Sequence, residues 1–261
     1  MELNLQGKTA LVLASSQGLG KAIATALIKE GVNVVLASRN QEKLAVVYSE
    51  LTSLEGGKAS YIPTDIMQPE QIKQAVQHTI DQFGQLDILV NNAGGPPAGS
   101  FEQITDEQWQ QSFELNLLSY VRMIREALPY LKKNGGKIIN IASSSIKEPI
   151  PGLILSNTFR TGIVGLTKTL AGELAQDRIL INTVAPGRIA TDRVSFLDEV
   201  NAKKQGISKN EMEEKVKSTI PLGRYGDPEE FAKVVTFLVS DANSYMTGSS
   251  FLVDGGMVKS I

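Results

Sequence analysis

The stretch with the clearest chemical capacity is residues 8–24, KTALVLASSQGLGKAIA. Residues 9–13 read as an apolar strand, Ala14, Ser15, Ser16, Gln17, Gly18, Leu19 and Gly20 as a small-residue loop, and the pattern from Lys21 as a helix. A strand that breaks into a glycine turn and opens a helix presents unpaired backbone N–H groups, and the positive end of the helix dipole, to an anion. The loop is therefore a candidate phosphate cradle, although glycines placed only for a tight turn would look the same.

A second set of chemically telling residues ends the next strand. In a dinucleotide site an acidic residue about 20 positions after the glycines holds the adenosine ribose, whereas an arginine there receives a 2′-phosphate. This chain reads Ala37-Ser38-Arg39-Asn40, with no carboxylate. A hydroxyl and a guanidinium suit a phosphate monoester, so the expected cofactor is NADP(H). NAD(H) is the alternative if Arg39 is only a solvated charge opening a helix. Asp65, followed by Ile66, could accept from an adenine amino group or cap the following helix. In Asn91-Asn92-Ala93-Gly94-Gly95 the small residues would let the backbone approach a flat cofactor.

Other chemistries are excluded. The chain has no cysteine, which removes disulfides, thiolate zinc sites and cysteine nucleophiles, and no metal site is expected. Its single histidine, His78, falls on or near the polar side of a helical pattern and reads as a solvated residue rather than a base. Ser144-Ser145-Ile146-Lys147 spells a serine acyl-enzyme motif, but that chemistry needs a helix where Pro149 and Pro151 follow. The formal net charge of −2 supplies no basic field for nucleic acid. No apolar run reaches membrane-spanning length, and the first residues lack a charged-then-apolar leader, so a cytoplasmic protein without membrane partners is expected.

The elements that must position these residues alternate between strand and helix, the signature of βαβ units. Strands are expected at 9–13, 33–37, 59–63, 88–90, 137–141, 180–184 and 250–253, with helices at 21–30, 41–53, 70–82, 105–132, 155–175 and 228–240. The expected architecture is α/β: a single-domain Rossmann fold over residues 1–261, with a doubly wound, seven-stranded parallel sheet. One irregular insertion, 188–221, follows a Pro186-Gly187 turn and carries a charged helical pattern at 210–218. It should lie over the carboxyl ends of the strands, as a lid or as a surface excursion packed on itself.

The glycine loop, Asp65, Asn91-Asn92-Ala93-Gly94, Asn116, Ser143, Pro186-Gly187 and Asp254-Gly255-Gly256 occur in the order and spacing of the short-chain dehydrogenase/reductase family. The chain most resembles the 3-oxoacyl-[acyl-carrier-protein] reductases within it. The resemblance implies a nicotinamide cofactor, a small-molecule carbonyl or alcohol substrate, and often a homotetramer, here through 105–132 and 155–175, with a dimer as the lesser assembly. It also implies a catalytic Asn, Ser, Tyr and Lys. The tyrosine exchanges a proton as hydride moves, the lysine lowers its pKa and holds the nicotinamide ribose, the serine polarises the carbonyl, and the asparagine supports a water relay. Pro186, Gly187 and Ile189 fall among the family's cofactor-binding positions, and Thr191 at the one that contacts the nicotinamide end.

Only half of that catalytic set is present. Aligned on Ser143 and on Gly165-Leu166-Thr167-Lys168, the tyrosine position is Ser156 and the lysine position is Arg160. The first loop departs too, with Leu13-Ala14 where the family has Thr-Gly. A serine hydroxyl is shorter in reach and far less acidic than a phenol of pKa about 10, so Ser156 cannot repeat the tyrosine's part. One reading keeps hydride transfer, with the proton passing through a water held by Ser156, Ser143 and Asn116 while Arg160 clamps ribose hydroxyls and stabilises developing oxyanion charge. The substrate would then carry some apolar surface, met by Ile150, Leu153, Ile154 and Leu155. The alternative is an NADP(H)-binding sensor or scaffold without turnover.

Overall fold

The computed structural model describes residues 2–260. Seven parallel strands form its centre: β1 (Thr9–Leu13), β2 (Asn33–Ser38), β3 (Ala59–Pro63), β4 (Ile88–Asn91), β5 (Gly136–Ile141), β6 (Ile179–Pro186) and β7 (Ser250–Val253). They stand in the order β3-β2-β1-β4-β5-β6-β7. β1 pairs with β2 through Leu11↔Val35 and with β4 through Leu11↔Leu89, so the strand order reverses around β1. Such a reversal opens a crevice beyond the carboxyl ends of the strands.

Helices cover both faces, which is why β1 reads as an unbroken buried run rather than an alternating one. On one face α1 (Gly18–Lys29), α2 (Gln41–Thr52) and α9 (Pro228–Val239) bury Ile23, Leu27, Leu44, Phe231 and Val235 against Val12, Val34 and Ile139. On the other, α3 (Pro69–Phe83), α5 (Ser119–Asn134) and α6 (Ile154–Glu173) bury Ile72, Val76, Met123, Ile124 and Ile163 against Leu11, Val35 and Ile138. Among the described residues no helix is long and apolar enough to cross a membrane, and no cluster of His, Asp or Glu could hold a metal.

Four expectations need correction. The first helix begins at Gly18, not Lys21, so two of the loop glycines belong to its opening turn. The helix expected over 105–132 is interrupted: α4 (Asp106–Phe113) runs into a π-helical turn, Glu114–Leu118, before α5 begins. A π turn inserts one residue into the helical ladder and leaves no pattern in hydrophobic spacing long enough to read. The 188–221 insertion holds two helices, α7 (Asp192–Gln205) and α8 (Lys209–Lys217). α7 escapes sequence reading because it buries only Asp198 and Ala202, too few points for an apolar stripe. His78 is not freely solvated. It is partly buried against β3, with Nε2 2.9 Å from Ser60 Oγ, and burial lowers its pKa against a smaller opposing pull from Asp81.

Candidate active site

Strand β1 leads into a loop held by its own backbone. Ala14 sits at φ 48°, in the left-handed region that the missing glycine would occupy without strain. Gly20 cannot carry a side chain, because a Cβ there would stand 2.3 Å from the Ala14 carbonyl oxygen. Ser15 is wholly buried, its hydroxyl accepting from the Ala37 N–H at 3.0 Å. That side chain is thus committed to fastening the loop to β2 and is not free to meet a phosphate. The Gln17 side chain makes no cap to α1, so the opening N–H groups of that helix face the crevice without a side-chain acceptor.

Two cavities lie along the crevice. The one at the β2 end, about 590 Å³, is lined by Ala14, Ser16, Gln17, Ser38, Arg39, Asn40, Lys43, Asp65, Ile66, Ala93 and Gly94 among others. Ser16 Oγ and Ser38 Oγ are 2.9 Å apart. Lys43 Nζ donates to Gln17 Oε1 at 2.8 Å, and Asn40 Oδ1 accepts from the Lys43 N–H, also at 2.8 Å. Two cations and two hydroxyls therefore converge where sequence reading expects one of each. Asp65 lines this cavity and does not cap the following helix, whose N-cap is Gln68; its Oδ1 accepts from the Met67 N–H at 3.0 Å within the turn after β3.

The second cavity, about 240 Å³, is lined by Gly18, Leu19, Asn92, Gly95, Pro186, Gly187, Ile189, Thr191 and Arg193, and shares Ala14, Gln17, Ala93 and Gly94 with the first. The shared walls make one continuous cleft whose two ends suit the two halves of a dinucleotide. Thr191 Oγ1 accepts from the Val194 N–H, capping α7. In the 188–221 insertion, Asp198 is fully enclosed between Arg188 Nη1 at 3.3 Å and the Tyr225 hydroxyl at 2.8 Å. Burial first, and then that carboxylate, push the Tyr225 phenol well above its usual pKa.

The turn after β4 is held from below by two side chains. Asn116, in the middle of the π turn, donates from Nδ2 to the Gly94 carbonyl at 2.7 Å, while its Oδ1 is buried without a partner among the described residues. Arg160 departs most from expectation. It is only 4% exposed, and its guanidinium donates to the Ala93 carbonyl at 3.0 Å, the Ile141 carbonyl at 2.8 Å and the Tyr120 hydroxyl at 2.9 Å. The fork is longer than a lysine and reaches past the cleft floor to tie the ends of β4 and β5 together. It is therefore not directed at a ribose or an oxyanion. Tyr120, wholly buried, donates in turn to the Ile141 carbonyl at 2.9 Å. Burial raises its pKa and Arg160 opposes the rise, so this enclosed phenol is not placed to exchange a proton with a ligand in the cleft.

Ser143 leaves β5 with its Oγ accepting the Ser145 N–H at 3.2 Å, which keeps the hydroxyl hydrogen for donation. Ser156 lies one helical turn before Arg160 on α6, 9% exposed, and no hydrogen bond joins it to Ser143 or Asn116 among the described residues. The segment between them is stitched down: Gly99 N donates to the Gly152 carbonyl at 2.7 Å, and the Asn157 side chain bonds both the Ile150 N–H and its carbonyl. Lys43, Tyr120, Asn157 and Arg193 were not legible as site residues. Only Lys43 carries a signal, a cation in the opening turn of the helix that follows Arg39.

A parallel sheet with a glycine loop at its point of reversal and a two-ended cleft above it defines a dinucleotide-binding α/β protein. A family model described as Enoyl-(Acyl carrier protein) reductase matches residues 13–258. The 3-oxoacyl-[acyl-carrier-protein] reductase FabG of Aquifex aeolicus is 36% identical over 258 residues, covering 98% of this chain and 100% of that one. Among solved structures, L-sorbose reductase from Gluconobacter frateurii complexed with NADPH and L-sorbose superposes with a TM-score of 0.95 at 32% identity, covering 100% of both chains. YwfH, an NADPH-dependent reductase involved in bacilysin biosynthesis, superposes at 0.92 with 32% identity over 97% of this chain and 99% of that one. The chain belongs to the short-chain dehydrogenase/reductase family of oxidoreductases.

Proposed function

We propose that the protein is an NADP(H)-dependent oxidoreductase that interconverts a carbonyl and an alcohol on a moderately hydrophobic, 3-oxoacyl-type or related substrate. The observation that carries this is the continuous cleft with Ser38, Arg39 and Lys43 at one end and the glycine-lined Gly94–Thr191 end at the other. The relatives described above, named as reductases, support turnover, and none favours a scaffold without chemistry.

Bound NADPH would supply the hydride, and the chain's own residues do the rest. Ser16, Ser38, Arg39 and Lys43 would hold the 2′-phosphate, and Asp65 and Ile66 would lie at the adenine end. Gly18 and its neighbours in the opening turn of α1 would receive the bridging phosphates. Ser143 donates its free hydroxyl hydrogen to the substrate oxygen. The proton that completes the alcohol would come from bulk solvent, relayed through a water held by Ser143 and Ser156 and replaced from solvent as it gives its proton up. Arg160 is a positioning residue that fixes the Ala93–Gly94 turn at the wall of the cleft. Trp109, Phe113 and Phe159 form a partly exposed aromatic cluster across α4 and α6, with ring centroids 5.6 and 6.0 Å apart, and favour assembly of two or four copies through this face.

The test is a fluorescence titration of NADPH against NADH, followed by NADPH oxidation with a panel of aldehydes, ketones and 3-oxoacyl thioesters. Tighter NADPH binding and turnover of at least one carbonyl are expected. Tighter NADH binding, or NADPH binding without turnover of any panel member, would contradict the reading.

A further inference from the structure

Arg193, the second residue of α7, reaches from the lid across the mouth of the cleft, where Nη2 donates to the Pro96 carbonyl at 3.2 Å. It lines the same cavity as Gly94, Gly95, Gly187 and Thr191. Gly95 permits the approach, since a Cβ there would stand 3.2 Å from Nη2. The other lid and lid-base arginines are satisfied differently: Arg188 pairs with Asp198, and Arg224 pairs with Glu230 at 2.7 Å. Arg193 forms no ion pair among the described residues, and its neighbour Asp192 lines the cavity without bonding to it. One neutral carbonyl occupies a group with five N–H donors, leaving most of the fork unspent.

We propose that Arg193 binds an oxyanion of the ligand in this cleft, a carboxylate or phosphate group gripped by the guanidinium fork. A bidentate charged partner outcompetes a single neutral carbonyl, so the residue exchanges the Pro96 oxygen for the anion and draws α7 over the bound ligand. The partial burial that lowers its pKa acts in the same direction, because a desolvated cation gains most from an anion. The proposal rests on the dinucleotide reading of the cleft. The anion has two sources at this end: the bridging phosphates of the cofactor, or a carboxylate on the carbonyl substrate.

The experiment compares wild type with Arg193→Leu and with Arg193→Lys, after thermal melts confirm that each variant folds. NADPH and NADH are titrated by fluorescence, and 2-oxohexanoate and its ethyl ester are titrated by calorimetry onto the NADP⁺-saturated protein, so no arm depends on turnover. A phosphate contact weakens both nucleotides in Arg193→Leu by about 10- to 100-fold. A carboxylate contact leaves both nucleotides within about twofold and weakens the oxo acid by the same about 10- to 100-fold while sparing the ester. Arg193→Lys recovers part of either loss. Unchanged binding of both nucleotides and of the acid overturns the proposal, as does equal weakening of acid and ester with nucleotides unaffected. Failure of wild type to bind either nucleotide instead overturns the dinucleotide reading itself.

Discussion

Arg39 and Lys43 together should decide which nicotinamide cofactor binds, and removing them should do so selectively. Both side chains are exposed, so the solvent sets the scale: two unit charges at 4 Å are worth about 1 kcal/mol in water, and a phosphate monoester carries close to two charges at neutral pH. A charge-assisted hydrogen bond adds to this, so Arg39→Ala is expected to weaken NADPH roughly 10- to 100-fold. Lys43 already donates to Gln17 at 2.8 Å, and part of its capacity is spent there, so Lys43→Ala should cost about fivefold. NADH has no 2′-phosphate and should bind both variants within about twofold of wild type. The NADPH advantage should also shrink as ionic strength rises, because exposed pairs are screened within about 10 Å at 0.1 M salt. Fluorescence titration of both nucleotides at two salt concentrations measures all of this. If Arg39→Ala weakens NADH as much as NADPH, the cation contacts something common to both. If it weakens neither, the 2′-phosphate does not lie against β2 and α2.

Three further outcomes follow from particular residues. Ala14→Gly relieves a left-handed alanine worth about 1–2 kcal/mol but returns about 0.5–1 kcal/mol of backbone entropy to the unfolded chain. A net gain of about 0.5–1 kcal/mol, or roughly 1–4 °C in Tm, is expected by calorimetry, and a fall in Tm would show that the loop does not need positive φ there. Arg160→Met keeps volume but orphans the Ala93 carbonyl, so stability should drop by about 1–3 kcal/mol and NADPH should bind less tightly as the turn loosens; an unchanged Tm and Kd would refute the positioning role. Burial lowers the His78 pKa, so the folded state binds fewer protons than the unfolded one near the ordinary histidine pKa. Its contribution is intact above the unfolded pKa of about 6.5 and fades as pH falls through that value toward the lower folded one. Urea midpoints at pH 5 and 7.5 should differ less in His78→Gln than in wild type, and an equal difference in both would show that His78 does not titrate this way.

The fold was legible because β1, β2 and β4 are apolar runs bounded by glycine and polar turns, and the residues that line the cleft stand at their carboxyl ends. Ser38-Arg39, Asp65-Ile66 and Asn92-Ala93-Gly94 could be found by counting from a strand. Residues whose meaning depends on what lies opposite could not. Arg160 occupies the expected helical position, yet its direction is set by two strand-end carbonyls and by Tyr120, 40 positions upstream. The π turn around Asn116 breaks a helix without glycine or proline to announce it. Arg193 and Pro96 are 97 residues apart and meet only because α7 folds back over the cleft. Ala14 was legible in kind, since a missing glycine at a tight turn implies a strained alanine, and the strain is there at φ 48°.

The central claim is that carbonyl chemistry survives with Ser143 as the polarising donor and without a catalytic tyrosine. The most direct measurement is steady-state NADPH oxidation with an accepted carbonyl by wild type and Ser143→Ala, alongside NADPH titration of both. In Ser143→Ala kcat is expected to fall about 10²- to 10³-fold, the cost typical of one lost donor to a developing oxyanion, with NADPH affinity unchanged. Equal turnover by the two proteins would contradict it.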